Sequence, residues 1–204
     1  MNINKSKDLF KKQIKTVEIG LHNYCNRTCS FCPLSRSDVL RNDRDNVEYM
    51  NIDVFENILK NLAEIDFDGR IDISRYHEPT FNKKYLLEKV NTIHKFLPKA
   101  LIAINSNADY INRMYIDELL DNHIGHISLM AYMKNGATDY DEHSVFKRIN
   151  QICKKINVPN INPDEYQNKE WIKYRLPEIR STIHARNYWN NGVNRAGSIL
   201  DINY

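Results

Sequence analysis

No stretch of this 204-residue sequence approaches the roughly 20 consecutive apolar residues that a membrane-spanning helix needs. Nor is there an excess of one charge: 29 basic against 26 acidic residues leave a formal net charge of +3. That is too little to argue for nucleic acid or an anionic membrane surface as a partner. The opening residues Met1-Asn2-Ile3-Asn4-Lys5-Ser6-Lys7 lack the apolar core of a secretory signal, so a cytoplasmic location is expected. Internal repeats, low-complexity tracts and obvious linkers are missing too, and the length suits one domain over 1–204 with a sizeable core. Cysteine is scarce, four residues in all, and three of them crowd into one short segment. In a chain that is not exported, that crowding points to metal rather than to disulfides.

What is present alternates between strand-like and helix-like segments. Val17-Glu18-Ile19-Gly20-Leu21-His22 alternates apolar and polar residues and runs straight into the cysteines. A polar stretch over 35–48 follows, and Asn51-Ile52-Asp53 then opens a helix with Val54, Ile58, Leu62 and Ile65 at helical spacing. Beyond Gly69, the run Arg70-Ile71-Asp72-Ile73-Ser74 reads as a second strand. The cycle repeats with a helix over 85–93, a strand over 101–105, a helix over 111–120, a strand over 126–130 and a helix over 144–156.

Such alternation argues for an α/β fold with a parallel sheet. A full eight-fold barrel typically takes about 250 residues, so the expected architecture is a partial (β/α)6-type barrel with parallel strands and outer helices. The final third is less regular. Residues 157–163 make a poor strand interrupted by Pro159 and Pro163; 169–180 read as helical with a break at Pro177; 184–189 read as a last strand.

The cysteines lie in Cys25-Asn26-Arg27-Thr28-Cys29-Ser30-Phe31-Cys32, a C-x3-C-x2-C spacing, with Cys153 far away. Two readings are open. Three thiolates on one loop suit an iron–sulfur cluster that keeps one iron free for a small molecule. They also suit a structural zinc site with His22 as a fourth ligand, although zinc usually takes two separated ligand pairs and no second pair occurs.

This motif, with an aromatic before its last cysteine, resembles the signature of the radical S-adenosylmethionine superfamily. The resemblance implies that Cys25, Cys29 and Cys32 hold a [4Fe–4S] cluster and that S-adenosyl-L-methionine chelates the fourth iron. It implies reductive cleavage of that cofactor to a 5′-deoxyadenosyl radical, which takes hydrogen from a peptide or small-molecule substrate. An electron donor such as flavodoxin or ferredoxin is implied with it, and Phe31 would lie beside the adenine.

Further segments carry the same resemblance. Ser74-Arg75-Tyr76-His77-Glu78-Pro79 resembles a Gly-Gly-Glu-Pro-like strand end, which implies that Glu78 meets the methionyl ammonium. Arg75 and His77 depart from the glycines often found there, and the plain alternative is a turn closed by Pro79. Ser106 and Asn107, at the third strand end, would face the ribose and methionine, while Ser128 and Arg148 would help to fix the cofactor carboxylate. Asn194-Arg195-Ala196-Gly197 looks like a stretch that precedes an accessory cluster domain in some members, but no cysteines follow it here. Cys153, alone on an apolar helix face, reads as a core residue. Two other functions stay open, a glycyl-radical activase and a zinc-stabilised binding domain without catalysis.

Overall fold

Four strands stand side by side and parallel: β1 (Thr16–Ile19), β2 (Arg70–Ile73), β3 (Leu101–Ser106) and β4 (Ile124–Met130). The computed structural model describes residues 3–32, 46–134, 137, 139–162 and 171–187. Helix α1 (Ile3–Gln13) precedes β1; α2 (Ile52–Ala63), α3 (Lys83–Phe96) and α4 (Arg113–Asp121) connect the parallel strands; α5 (Glu142–Lys155) follows β4. Two more strands complete the sheet, β5 (Trp171–Leu176) and β6 (Ser181–Arg186), in the order β1-β2-β3-β4-β6-β5.

Short polar side chains start the helices. Asn51, Asn82, Asn112 and Asp141 each accept hydrogen bonds from backbone N–H groups of the first turn of α2, α3, α4 and α5. Those N–H groups have no partner within the helix, so each cap satisfies donors that would otherwise be orphaned.

The strands present two different faces. Ile71, Ile73, Ile102, Ile104, Ile127, Leu129 and Ile183 join Leu59, Leu86, Val90, Ile116, Leu119, Ile149 and Ile152 of the helices in one buried cluster. Because side chains alternate along a strand, the other face carries Asp72, Asn105, Ser128 and Thr182. Asn105 Nδ2 donates to Asp72 Oδ1 at 3.0 Å, and Thr182 Oγ1 lies 3.1 Å from His126 Nε2. One face is therefore a hydrocarbon core and the other a hydrogen-bonded polar wall.

Several sequence expectations need correction. Residues 171–176 form a strand rather than a helix, because Ile172 and Leu176 are buried while Trp171, Lys173 and Arg175 are exposed. That two-residue period fits a half-buried strand, and Pro177 begins a short 3-10 turn instead of breaking a helix. The all-parallel sheet is also corrected, since β5 pairs antiparallel with β6, turning back through Arg180 at φ 45. β6 begins earlier than expected, at Ser181; residues 188–189 of the expected last strand lie outside the described residues, as do 35–45, 163, 169–170 and 194–197. Helix α1 was not expected; Leu9 and Phe10 on it are exposed, so it lacks a buried stripe to betray it.

Gly69, at the start of β2, is sterically locked. Lys15 O accepts from Arg70 N, Gly69 O accepts from Leu101 N, and a Cβ at Gly69 would lie 2.6 Å from Lys15 O. Overpacking against a fixed carbonyl typically costs about 1–3 kcal/mol. Gly69→Ala is therefore expected to lower stability by about that much in chemical denaturation; an unchanged midpoint would show that the chain here yields freely.

Candidate functional site

The loop after β1 carries three thiols into one cavity of about 330 Å3, at the ends of β2, β3 and β4. Cys25, Cys29 and Cys32 all line it, and Cys32 N donates to Cys29 O at 3.0 Å, closing a turn between two of them. Burial, joined by the charges of neighbouring thiols, pushes Cys25 up to about 11 and Cys29 up to about 12. Ionised together and alone, these thiols would repel one another in a poorly solvated place. Bound iron reverses that balance, because coordination deprotonates a thiol outright.

The donor set therefore fits a polynuclear iron–sulfur group. Such a group spreads its thiolates over separate irons, whereas zinc draws four ligands to within about 2.3 Å of one point. Among the described residues, no group of three or more His, Cys, Asp or Glu side chains is already arranged to hold a metal ion. His22 packs in a ring cluster with Tyr49, His77 and Phe81, its Nδ1 accepts from Tyr24 N at 3.1 Å, and it does not line the cavity of the thiols. A Cys3His zinc site would need His22 to leave that cluster.

Glu78 sits behind the loop, fully enclosed. Its backbone N–H donates to Tyr24 O at 2.9 Å, tying the end of β2 to the approach to Cys25. Its Oε1 accepts from Ser106 Oγ at 2.7 Å, from Thr80 N at 3.1 Å and from the Thr80 hydroxyl; its Oε2 accepts from Asn107 N at 2.7 Å. Burial pushes this carboxyl up, and the four donors oppose the push. Ser106 donates to Glu78 and accepts from Ala108 N at 3.0 Å, so it supports Glu78 while lining the cavity. Asn107 bridges too, since its Nδ2 donates to Asn26 Oδ1 at 2.8 Å and lies 3.9 Å from Cys25 Sγ.

A second carboxylate organises the loop from below. Asp109 accepts from Arg27 Nε at 2.7 Å and Arg27 Nη2 at 2.8 Å, a two-pronged pair. Asn26 Nδ2 at 2.7 Å and Arg148 Nη2 at 2.6 Å complete the set. Burial pushes Asp109 up, but Arg27 and Arg148 outweigh it and hold the carboxyl below its usual range. Arg148 also donates to Asn107 O at 2.9 Å, and Arg27 Nη1 to Met133 O at 2.8 Å.

The outer wall is aromatic and polar. Phe31 and Tyr132 face each other across 5.4 Å, and Ser128, Asn105 and His184 line the same space. Burial, then the charge of Lys173, lowers His184 to about 4, so its imidazole is neutral near pH 7. Burial likewise lowers His77 to about 3; its Nε2 accepts from Leu21 N at 3.5 Å. Arg75 adopts φ 105, a region that favours glycine, and is held there by a 2.8 Å ion pair with Glu18.

No family model matches the chain. It is 28% identical over 110 residues to the S-adenosyl-L-methionine-dependent 2-deoxy-scyllo-inosamine dehydrogenase of Niallia circulans, over 54% of this chain and 42% of that protein. Among solved structures it resembles BtrN in complex with AdoMet and 2-DOIA, at 22% identity and a TM-score of 0.51, over 70% of this chain and 55% of that one. It also resembles selenomethionine BtrN in an open conformation, at 26% identity and a TM-score of 0.51, over 61% of this chain and 52% of that one. The chain thus spans about half the length of the relatives it matches.

These comparisons correct the superfamily reading of the sequence. In its place stands a narrower likeness, to one S-adenosyl-L-methionine-dependent dehydrogenase and to an α/β fold of the BtrN kind. Of the expected site residues, Cys25, Cys29, Cys32, Phe31, Glu78, Ser106, Asn107 and Ser128 line the one cavity, whereas Arg148 does not and instead donates to Asp109 and Asn107 O. Sequence reading passed over Arg27, Asp109, Tyr132 and His184. Only Arg27 carried a usable signal, a cation set between two cysteines.

Proposed function

We propose that the chain is an S-adenosyl-L-methionine-dependent oxidoreductase whose cysteine loop holds a [4Fe–4S] cluster and whose substrate is a small metabolite. The observation that carries this reading is the meeting of three thiols and buried Glu78 on the walls of one cavity at the strand ends. The name of the Niallia circulans relative supports both the cofactor and a dehydrogenation, and favours a small molecule over a peptide. The polar face of the sheet would then be the inner wall of a partial barrel.

When bound, the cluster and S-adenosyl-L-methionine supply reductive C–S cleavage and hydrogen abstraction from the substrate. The chain's own residues bind and orient. Cys25, Cys29 and Cys32 would hold the cluster through their thiolates, with the cofactor bound beside it. Glu78 meets its ammonium, because a cation buried there needs an anionic acceptor, and Thr80 and Ser106 keep that carboxylate aimed. Phe31 and Tyr132 offer an aromatic wall to the adenine. Ser128, Asn105 and neutral His184 remain for hydroxyl groups of the substrate. Electrons come from a small donor protein such as flavodoxin or ferredoxin.

The test is anaerobic. Reconstituted protein is expected to hold about four irons and four sulfides. With a strong reductant it is expected to release methionine and 5′-deoxyadenosine, resolved by chromatography. Protein with full iron and sulfide that neither binds nor cleaves the cofactor would end this reading.

A further inference from the structure

We infer that Asp109, acting through the guanidiniums of Arg27 and Arg148, positions the cysteine loop and sets the charge that a bound cluster meets. This rests on the cluster reading above. Asp109 stands just past β3, yet it receives four hydrogen bonds, three of them from Asn26 and Arg27 inside the loop. Arg27 lies between the first two cysteines and its side chain is only 9% exposed. Its planar fork fits one carboxylate in one orientation, so the position of Asp109 fixes where the backbone between Cys25 and Cys29 runs.

The charges do not cancel. Arg27 and Arg148 face a single carboxylate, and Lys155 Nζ adds a third cation, 2.7 Å from the backbone carbonyl of Asp109. Arg27 lines the same cavity as Cys25 and Cys29. Each of these cations favours the state that has gained an electron and Glu78, which also lines the cavity, opposes them; local charge and hydrogen bonding are levers on the potential of an iron–sulfur group. Asp109 tempers that effect while holding its main source in place. It is a positioning residue, not a catalytic one.

Two variants separate this role from a merely structural one. Asp109→Asn removes the anion and leaves the cations unmatched, so the cluster potential is expected to rise. Arg27→Gln removes a cation and is expected to lower it. Arg148→Gln, on α5 and outside the loop, is expected to shift the potential down as well and serves where Arg27→Gln fails to fold. Arg27→Lys keeps the charge without the fork, so iron retention should fall while the potential stays near that of the parent. Redox titration of the anaerobically reconstituted proteins, followed by electron paramagnetic resonance, reads all four, with iron content measured alongside. Shifts of one sign in Asp109→Asn and Arg27→Gln, or none in either, would overturn the inference while leaving the cluster reading intact. Parent protein without iron and sulfide would instead sink the cluster reading, and this inference with it.

Discussion

Replacing Cys25, Cys29 or Cys32 by alanine is expected to abolish cluster retention, while Cys153→Ala leaves iron content nearly unchanged. The first three line one cavity; Cys153 is fully buried among the apolar residues of α5. With one iron already lacking a protein ligand, losing a second thiolate leaves only two anchors for the whole group. Cys153→Ala costs only packing, since free buried cysteine behaves as a small hydrophobe. Iron and sulfide analysis of the four variants after anaerobic reconstitution decides the matter. Equal loss in Cys153→Ala would mean a different ligand set, and stoichiometric zinc without sulfide in the parent would remove the cluster altogether.

The second large effect concerns Glu78. Glu78→Gln is expected to weaken binding of S-adenosyl-L-methionine by roughly one to two orders of magnitude with cluster content intact. A hydrogen bond to a charged group is worth about 1.5–3 kcal/mol, and 1.4 kcal/mol is tenfold in affinity. The substitution also places an amide NH2 among groups that donate, the N–H groups of Thr80 and Asn107. A binding titration on the cluster-loaded variant gives the answer. Parent-like affinity would reduce Glu78 to a cap on the turn at Pro79–Phe81, where its side chain already accepts from Thr80 N.

The parts of the molecule visible in the sequence are those governed by local rules. Four strand–helix alternations follow from two periods, 2 and 3.6, and the start of α2 also from the Asn51 cap. The strand Trp171–Leu176 was hidden because its period-2 pattern abuts Pro177 and lies among residues that also suit a helix. The antiparallel edge depends on which neighbour β6 finds, and no local signal encodes that.

The site divides the same way. Cysteine spacing and the position of Glu78 at a strand end could be read directly. Ser106 lines the cavity and also donates to Glu78, a matter of side-chain direction that spacing does not reveal. Asp109 stayed invisible because its importance lies entirely in partners from two distant segments, the cysteine loop and α5.

Those distant partners impose an order on events. The bonds that shape the cysteine loop reach 82 and 83 residues to Asp109, 106 to Met133 and 107 to Ala137. Closing spans of that length comes late in folding, after local structure has formed. A ribosome adding about 5–20 residues per second makes the three thiols on the order of ten seconds before it makes their anchors. They meet the cell first as part of an unfinished chain, where oxidation to sulfenic acid or a mispaired disulfide competes with folding. The yield of competent protein in aerated cells would then depend on that race as well as on how tightly the finished cradle grips the proposed cluster.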